Sequence, residues 1–268
     1  IFGNVVKNAD LRQKIFVDFP KLAYDQNNKV IYITNNNMRF EDGTWEMGLF
    51  VSRDGGKSFT VQKVAYPTGS AIISVDTTQK GLLRAIVQID KKFNLLRFDK
   101  TAGSFDIAPG LDIHNGNEET IRARVSATSS RAWIVWFGEE IAIDKSERHP
   151  DRIYVIWKAP ESVVKAPEFQ GGEYGKNFDI YLTYSDDDGR TWNSPLKVND
   201  DHTNGDQVFP SIEIDENGVV HVAFLDKREN PDSSDYNVYY AKIVDGKVSK
   251  NIRVNPIPIP NTIGGREP

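Results

Sequence analysis

Short runs rich in β-branched and aromatic residues follow one another along the chain, separated by Gly, Asp and Asn. Met47–Val51 and Asp179–Tyr184 are two of these runs. Such short runs, bounded by turn residues, are typical of β-strands. Helical periodicity is almost absent. The pattern therefore predicts an all-β protein made of short antiparallel strands.

One turn sequence occurs twice. Ser52–Phe59 and Ser185–Trp192 both read Ser-x-Asp-x-Gly-x-Ser/Thr-aromatic, and each follows a predicted strand. In such a hairpin the Asp accepts hydrogen bonds from turn N–H groups, the Gly supplies a positive φ, and the aromatic ring is expected to pack beneath the strands. Two eight-residue matches indicate an internal repeat. A structural role is therefore predicted for Ser52, Asp54, Gly56, Phe59, Ser185, Asp187, Gly189 and Trp192.

A second repeated feature opens the units. Asp18–Asp25 and Asp206–Asp215 both read as Asp, then Pro, a short strand and a closing Asp. Four strands per unit recur at a spacing of about 45 to 60 residues, which is near the length of a propeller blade. We therefore predict a β-propeller of four-stranded antiparallel blades, with four to five blades in this chain. A β-sandwich is the alternative, but it would not explain the recurring turn.

Three segments fit this scheme less well. Gly110–Gly138 has two strand-like runs without partners for a full blade, and Arg12–Val17 is interpreted as the closing strand of an earlier unit. Gly264–Pro268 stops in a loop. We expect residues 1–268 to be one propeller domain that is incomplete at both ends.

The two turns, the Asp-Pro-strand-Asp starts and the run Val219–Arg228 together resemble the Asp-box, or BNR, repeat proteins of the sialidase-like (neuraminidase) superfamily. The resemblance implies a propeller that is six-bladed when complete. Sialidases of that superfamily carry an early Phe/Tyr-Arg-Ile-Pro motif, two further arginines, a Tyr nucleophile assisted by Glu, and an Asp acid/base. The nearest match to the early motif, Phe16–Pro20, has no arginine. The other catalytic positions have no residue-by-residue match either.

Composition narrows the possible partners and cofactors. The net charge is −5 without a Lys/Arg block, which disfavours nucleic acid as a partner, and no apolar run approaches the ~20 residues that a membrane span needs. There is no Cys. Calcium is a candidate ligand for Asp186–Asp188 or for the acidic residues of Asp200–Asp206, although solvated turns explain both runs as well. No other cofactor is indicated.

The repeat scheme also predicts where a ligand would bind. If the Asp-box turns lie on one rim, the loops between the second and third strands and the connections between blades form the other. Arginine, aromatic and acidic residues on that rim suit a carboxylated sugar or a polar peptide. The candidate ligand-binding residues are Arg39, Glu41, Trp45, Asp206, Asp226 and Arg228. A purely structural alternative is open for Asp226 and Arg228, as a salt bridge between blades, and for Asp206, as a cap of a strand.

Two classes of function follow. One is a secreted or cell-surface propeller that binds a glycan or a protein without turnover. The other is an exo-acting glycoside hydrolase of sialidase type, which needs carboxyl groups or a Tyr/Glu pair at the substrate. The missing arginine motif favours the first.

Overall fold

A computed structural model describes residues 15–39, 45–63, 71–89, 92–99, 104–113, 139–160, 177–229, 231 and 235–259. These residues form four antiparallel sheets and no helix, so none of them lies in a helix that could cross a membrane. Sheet A contains β1 (Ile15–Asp25), β2 (Val30–Arg39), β3 (Trp45–Ser52) and β4 (Thr60–Lys63). Sheet B contains β5 (Ala71–Thr77), β6 (Leu83–Ile89), β7 (Lys92–Asp99) and β8 (Ser104–Ile113).

The other two sheets follow in the second half of the chain. Sheet C contains β9 (Glu140–Ile143), β10 (Ile153–Pro160), β11 (Phe178–Ser185) and β12 (Leu196–Lys197). Sheet D contains β13 (Gln207–Ile214), β14 (Val220–Asp226), β15 (Asn237–Val244), β16 (Lys247–Val248) and β17 (Ile252–Arg253), the last two both pairing with β15. Apart from β17, which pairs with β15, neighbouring strands in each sheet are consecutive along the chain, as in an up-and-down blade.

The predicted all-β fold with four-stranded antiparallel units is confirmed. One strand assignment is wrong: Ile15–Val17 do not close an earlier unit but form the start of β1, where Ile15 pairs with Arg39 of β2. The alternation of polar and apolar residues was broken there by a bulge, which hid the continuity of the strand. The strand-like runs within residues 114–138, and the segments 1–14 and 260–268, lie outside the described residues.

The chain divides into two compact units, residues 1–90 with 96–106 and residues 91–95 with 107–268. In the first unit, one face of sheet A packs on sheet B through a cluster of buried apolar side chains that includes Tyr32, Leu49 and Leu83. In the second unit, sheets C and D pack face to face through a cluster that includes Ile156, Leu182 and Phe224. Burial of apolar side chains between sheets is the main stabilising contribution in each unit.

The proline near the start of two units coincides with a break in strand pairing. The register shifts between Asp18 and Lys21 in β1, and between Val208 and Ser211 in β13. Pro20 and Pro210 lie within these bulges, where the missing N–H removes no ladder hydrogen bond. Phe209, directly before Pro210, has a φ of 51°, which is unusual for a residue with a side chain.

The two Asp-box turns have the same hydrogen bonds. In the second turn, Ser185 Oγ and the Thr191 N–H both donate to Asp187 Oδ1 at 2.8 Å, and Thr191 Oγ1 donates to Asp187 Oδ2 at 2.6 Å. The Gly189 N–H donates to Ser185 Oγ at 2.8 Å. In the first turn, Asp54 and Ser52 accept the equivalent bonds. The carboxylate thus satisfies donors that the tight turn would leave unpaired.

Glycine is required in the second turn for two reasons. Gly189 has a φ of 80°, and a Cβ there would lie 2.3 Å from Leu95 Cδ2. The aromatic residues differ between the turns. Trp192 is partly buried, whereas Phe59 is 41% exposed, so the expected packing of the ring beneath the strands is not found in the first turn.

Asp187→Ala should lower the melting temperature of the protein by roughly 3–6 °C, because the turn N–H groups and the Thr191 hydroxyl lose their acceptor. Calorimetry would measure the change. Arg190→Ala, at an exposed position of the same turn, is the control and should leave the melting temperature within about 1 °C. Equal melting temperatures for the two variants would contradict the proposed structural role.

The contribution of Asp187 should also depend on pH. Hydrogen bonds from the Thr191 hydroxyl and N–H lower the pKa of Asp187 from 3.8 to about 2. A carboxylate whose pKa is lower in the folded state stabilises the fold above the unfolded value and loses that effect as the pH falls. The difference in melting temperature between the wild type and Asp187→Asn should therefore be constant above about pH 5 and shrink towards pH 2. A difference that grows on acidification would contradict this.

Candidate functional site

The start of β13, the end of β14 and the start of β15 lie together at one edge of sheet D. Gln207 pairs with Asp226, and Asp226 pairs with Asn237, so one row of the sheet carries three polar residues. In sheet C, the Asp-box turn joins the third strand, β11, to the fourth strand, β12. Because each strand reverses the direction of the chain, the connection between the second and third strands of a blade lies at the opposite edge from such a turn. The predicted residues Asp206, Asp226 and Arg228 all lie here.

Asp226 and Arg228 form a buried ion pair. Arg228 Nε and Nη2 each lie 2.8 Å from Asp226 Oδ2, and the Arg228 N–H donates to Asp226 Oδ1 at 2.6 Å. Asp226 is completely buried. Burial raises the pKa of Asp226, and the hydrogen bonds from Arg228 offset only part of this effect. The carboxyl group therefore depends on the arginine to remain charged.

The rest of the Arg228 guanidinium is also occupied. Nη1 donates to Asp200 Oδ1 at 2.6 Å and Nη2 donates to Asn251 Oδ1 at 2.9 Å. Asp200 and Asn251 are themselves joined by two backbone-to-side-chain hydrogen bonds of 2.9 Å. One face of the guanidinium covers the Tyr239 ring, with Cζ 4.1 Å from its centroid. Arg228 thus ties three parts of the chain together.

Asn199 extends this arrangement to sheet C. Its Nδ2 lies 2.7 Å from Asp179 Oδ1 and from Asp201 Oδ1, and 2.9 Å from Gln207 Oε1. Its Oδ1 accepts a hydrogen bond from the Ile180 N–H. Gln207 Nε2 in turn donates to Asp226 Oδ1 at 3.2 Å. We call the connected set the rim network, which comprises Asp179, Asn199, Asp200, Asp201, Gln207, Asp226, Arg228 and Asn251.

Asp206 binds backbone groups beside the network. Its Oδ1 accepts a hydrogen bond from the Phe178 N–H at 3.2 Å, and its carbonyl accepts one from the Lys227 N–H at 3.1 Å. The chain passes so close at Gly205 that a Cβ there would lie 2.7 Å from the Lys227 carbonyl. Asp206 therefore joins the start of β11 to the segment after β14.

A tyrosine–glutamate pair at the same edge was not foreseen from the sequence. Tyr239 donates from its hydroxyl to Glu229 Oε1 at 2.7 Å, and Arg253 Nη1 donates to Glu229 Oε2 at 2.7 Å. Burial and the adjacent Glu229 raise the pKa of Tyr239 to about 12. Its ring packs against Phe224, and only 6% of Tyr239 is exposed. The hydroxyl is therefore a neutral hydrogen-bond donor near pH 7.

A second buried ion pair also escaped sequence reasoning. Lys158 Nζ, near the end of β10, lies 3.4 Å from Glu139 Oε1, and both side chains are almost completely buried. The sequence signal would have been a lysine in a strand whose neighbours are apolar, preceded by an acidic residue next to β9.

Sheet A holds the remaining candidates. β2 ends at Arg39 and β3 begins at Trp45, and Met38 pairs with Trp45, so the backbones of Arg39 and Trp45 lie at the same end of adjacent strands. Glu41 lies outside the described residues. The structure thus places Arg39 and Trp45 together in the first unit, and Asp206, Asp226 and Arg228 together in the second.

The carboxylates considered for calcium have protein donors. Asp186 forms a two-point ion pair with Arg152, with distances of 2.6 and 3.0 Å, while Asp200 and Asp206 bind the groups given above. Asp201 accepts from the Thr203 hydroxyl at 2.6 Å. Within the described ranges, no group of three or more Asp, Glu, His or Cys side chains could hold a metal ion.

Arg228→Met should lower the free energy of unfolding by about 3–5 kcal/mol, because it leaves the buried Asp226 without its cation. Urea denaturation would measure the loss. Arg253→Met is the matched control: its pair with Glu229 is more exposed, so we expect a loss of about 1 kcal/mol or less. If both variants lost the same stability, the central position of Arg228 in the rim network would be refuted.

No protein-family model matches the sequence, and no curated protein matches it. Solved structures do. The chain is similar to a Hadza microbial sialidase at 13% identity, over 90% of this chain and 46% of that chain, with a TM-score of 0.52. It is also similar to an alpha-L-arabinanase of Penicillium chrysogenum at 10% identity, over 89% of this chain and 66% of that chain, with a TM-score of 0.54.

The chain is also similar to a GH93 alpha-L-arabinofuranosidase of Fusarium graminearum at 8% identity, over 89% of this chain and 66% of that chain, with a TM-score of 0.55. The chain spans less than half of the sialidase and 66% of each of the two fungal enzymes. Likeness at such low identity is evidence for the fold and not for an activity. Together with the four antiparallel sheets, it shows that this chain has a β-propeller fold of the sialidase-like type.

Proposed function

We propose that this chain is a sialidase-like propeller that binds a glycan or protein ligand without turnover, at the rim opposite the Asp-box turns. The observation that carries the proposal is that all three nitrogen atoms of the Arg228 guanidinium donate hydrogen bonds to other groups of the protein. An arginine that clamps a substrate carboxylate must present free N–H groups to it. Arg228 instead holds the rim together, which gives a ligand a rigid surface.

The neutral Tyr239 supports the same conclusion. A Tyr nucleophile must pass its proton to a base, and burial, which raises the pKa of Tyr239 to about 12, makes this harder than for an ordinary tyrosine. The ring is also covered by Arg228 and Phe224, which restricts the approach of a substrate. Turnover by this pair would require the tyrosine to become exposed.

In the first unit, ligand contact is assigned to Arg39, Glu41 and Trp45. In the second unit, Asp206, Asp226 and Arg228 support the rim from within. A flat indole ring stacks on a sugar face, and a guanidinium or carboxylate then selects the polar groups of the ligand. A secreted or cell-surface location suits such a ligand. The prediction that residues 1–268 form a single domain stays a prediction.

A glycoside hydrolase of exo-acting type is the second candidate. The Tyr239–Glu229 hydrogen bond favours it, because a tyrosine paired with a carboxylate is the arrangement that the sequence resemblance implies for catalysis. The similar solved structures include a sialidase, an alpha-L-arabinanase and an alpha-L-arabinofuranosidase by their names.

A glycan array followed by titration calorimetry would test binding by the whole chain. Trp45→Ala should weaken the binding of a ligand found there by roughly 3- to 10-fold through loss of ring stacking. Phe59→Ala is the matched control, because Phe59 is an exposed aromatic residue in the Asp-box turn of the same sheet and should leave the affinity unchanged. Equal losses for both variants would overturn the assignment of the rim.

Fluorogenic sialosides and alpha-L-arabinofuranosides would test turnover. We expect no rate above a control without protein. A rate that Tyr239→Phe abolishes, while the variant keeps the wild-type circular dichroism spectrum, would replace the binding function by the hydrolase.

A further inference from the structure

The first strands of three sheets each contain a break in pairing within their first half. Besides the register shifts in β1 and β13 described above, β5 has one between Ile72 and Ser74. Because the first strand of a sheet starts at the edge opposite the Asp-box turns, each break lies close to that rim. Bulges turn a side chain out of the regular alternation of a strand, and they are over-represented beside binding sites.

Phe209 occupies the strained position of the bulge in β13. Its φ of 51° lies in the left-handed region, where the Cβ of any residue other than glycine comes close to the following carbonyl oxygen. A glycine at this point of the bulge would avoid the strain. Backbone strain persists only where the surrounding structure imposes it, and it concentrates at functional sites. The chain thus holds a phenyl ring here at a cost to its backbone.

Contacts on both sides of Phe209 fix the bulge. On one side, Asp206 binds two backbone N–H groups, as described above. On the other side, Glu140 Oε2 of β9 accepts hydrogen bonds from Ser211 Oγ at 3.1 Å and from the Ile212 N–H at 3.0 Å. The strained backbone is therefore held from sheet C as well as from sheet D, and the position of the ring is set before a ligand arrives.

The phenyl ring lies beside both apolar and polar groups. Phe209 is half-buried and packs against the small apolar cluster that includes Phe178 and Tyr236. The hydrogen bond between Ser211 and Glu140 is exposed and lies two residues further along β13. Two residues of a strand rise by roughly 7 Å. One small ligand could therefore contact the ring and the carboxylate together.

We propose that Phe209 stacks on a sugar ring in the second unit, and that Glu140 and Ser211 bind hydroxyl groups of the same glycan. The inference rests on the proposed function and adds contact residues in the second unit. A sugar combines an apolar C–H face with hydroxyl groups at its edge, which suits an aromatic ring beside a carboxylate. A peptide is recognised instead along a continuous groove or strand edge.

Phe209→Leu tests the stacking contact, because leucine keeps an apolar side chain in the cluster but removes the flat ring. The probes are arabinotriose, sialyllactose and any glycan that the wild type retains on an array. The affinity of the variant for a bound probe, measured by titration calorimetry, should fall roughly 3- to 10-fold. Its melting temperature should stay within about 4 °C of the wild type. Phe209→Tyr, which restores the ring, should restore the affinity.

Glu140→Gln tests the polar half of the site. The amide oxygen can still accept the hydrogen bond from the Ile212 N–H, but the negative charge that strengthens a hydrogen bond from a sugar hydroxyl is lost. The affinity should fall by roughly 5-fold. An unchanged affinity would overturn the assignment of Glu140.

Phe224→Leu is the matched control. It makes the same replacement at a ring that is 1% exposed, in the main cluster between sheets C and D. It should lower the melting temperature at least as much as Phe209→Leu and leave the affinity unchanged. Wild-type binding that Phe209→Leu leaves intact would overturn this inference alone, and so would a peptide ligand lost in that variant. A wild type that binds no glycan would overturn it together with a glycan-binding function.

Discussion

The structure depends above all on the packing of one sheet on the next through apolar side chains. In β11, seven of the eight residues are buried, alternately towards each face of sheet C. In β14 and β15 only every second residue is fully buried, because a partner sheet packs on one side. Apolar side chains on both faces of a sheet cannot all reach the same core, so a sheet that is buried on both faces needs a neighbour on each side. Stacking of sheets, rather than any local propensity, therefore organises this fold.

Buried charge complements this packing at one edge of the second unit. Completely buried Asp226 costs free energy unless a cation accompanies it, and Arg228 meets that need while also binding Asp200 and Asn251. Asp200 retains a pKa below its usual value, although burial opposes this, because the Asn251 amide and Arg228 stabilise its charged form. One arginine thus holds loops that come from distant parts of the chain. The rim is therefore held by ion pairs and hydrogen bonds, whereas the sheets below it are held by contacts between apolar side chains.

The strands and the Asp-box turns could be predicted because their signals are local. Asp187 and Thr191 are four residues apart, so the hydrogen bonds between them follow from one short motif. The partners of Arg228 could not be predicted, since Asp200 and Asn251 are separated by 51 residues and meet only after sheets C and D have packed. The sequence did place Asp206, Asp226 and Arg228 on one rim. It did not reveal that Arg228 donates its hydrogen bonds to other residues of the protein, nor that the Tyr239 hydroxyl donates one to Glu229.

The bulge at Pro210 separates the apolar residues of β13 into two clusters. Before the bulge, Val208 belongs to a small cluster with Phe178 and Tyr236 at the rim, and after it Ile212 belongs to the main cluster between sheets C and D. A regular strand would have bound both to one continuous core. Because the two clusters are separate, substitutions that reshape the rim need not be matched by substitutions in the sheets. This form of construction uncouples the shape of the rim from the packing of the scaffold beneath it.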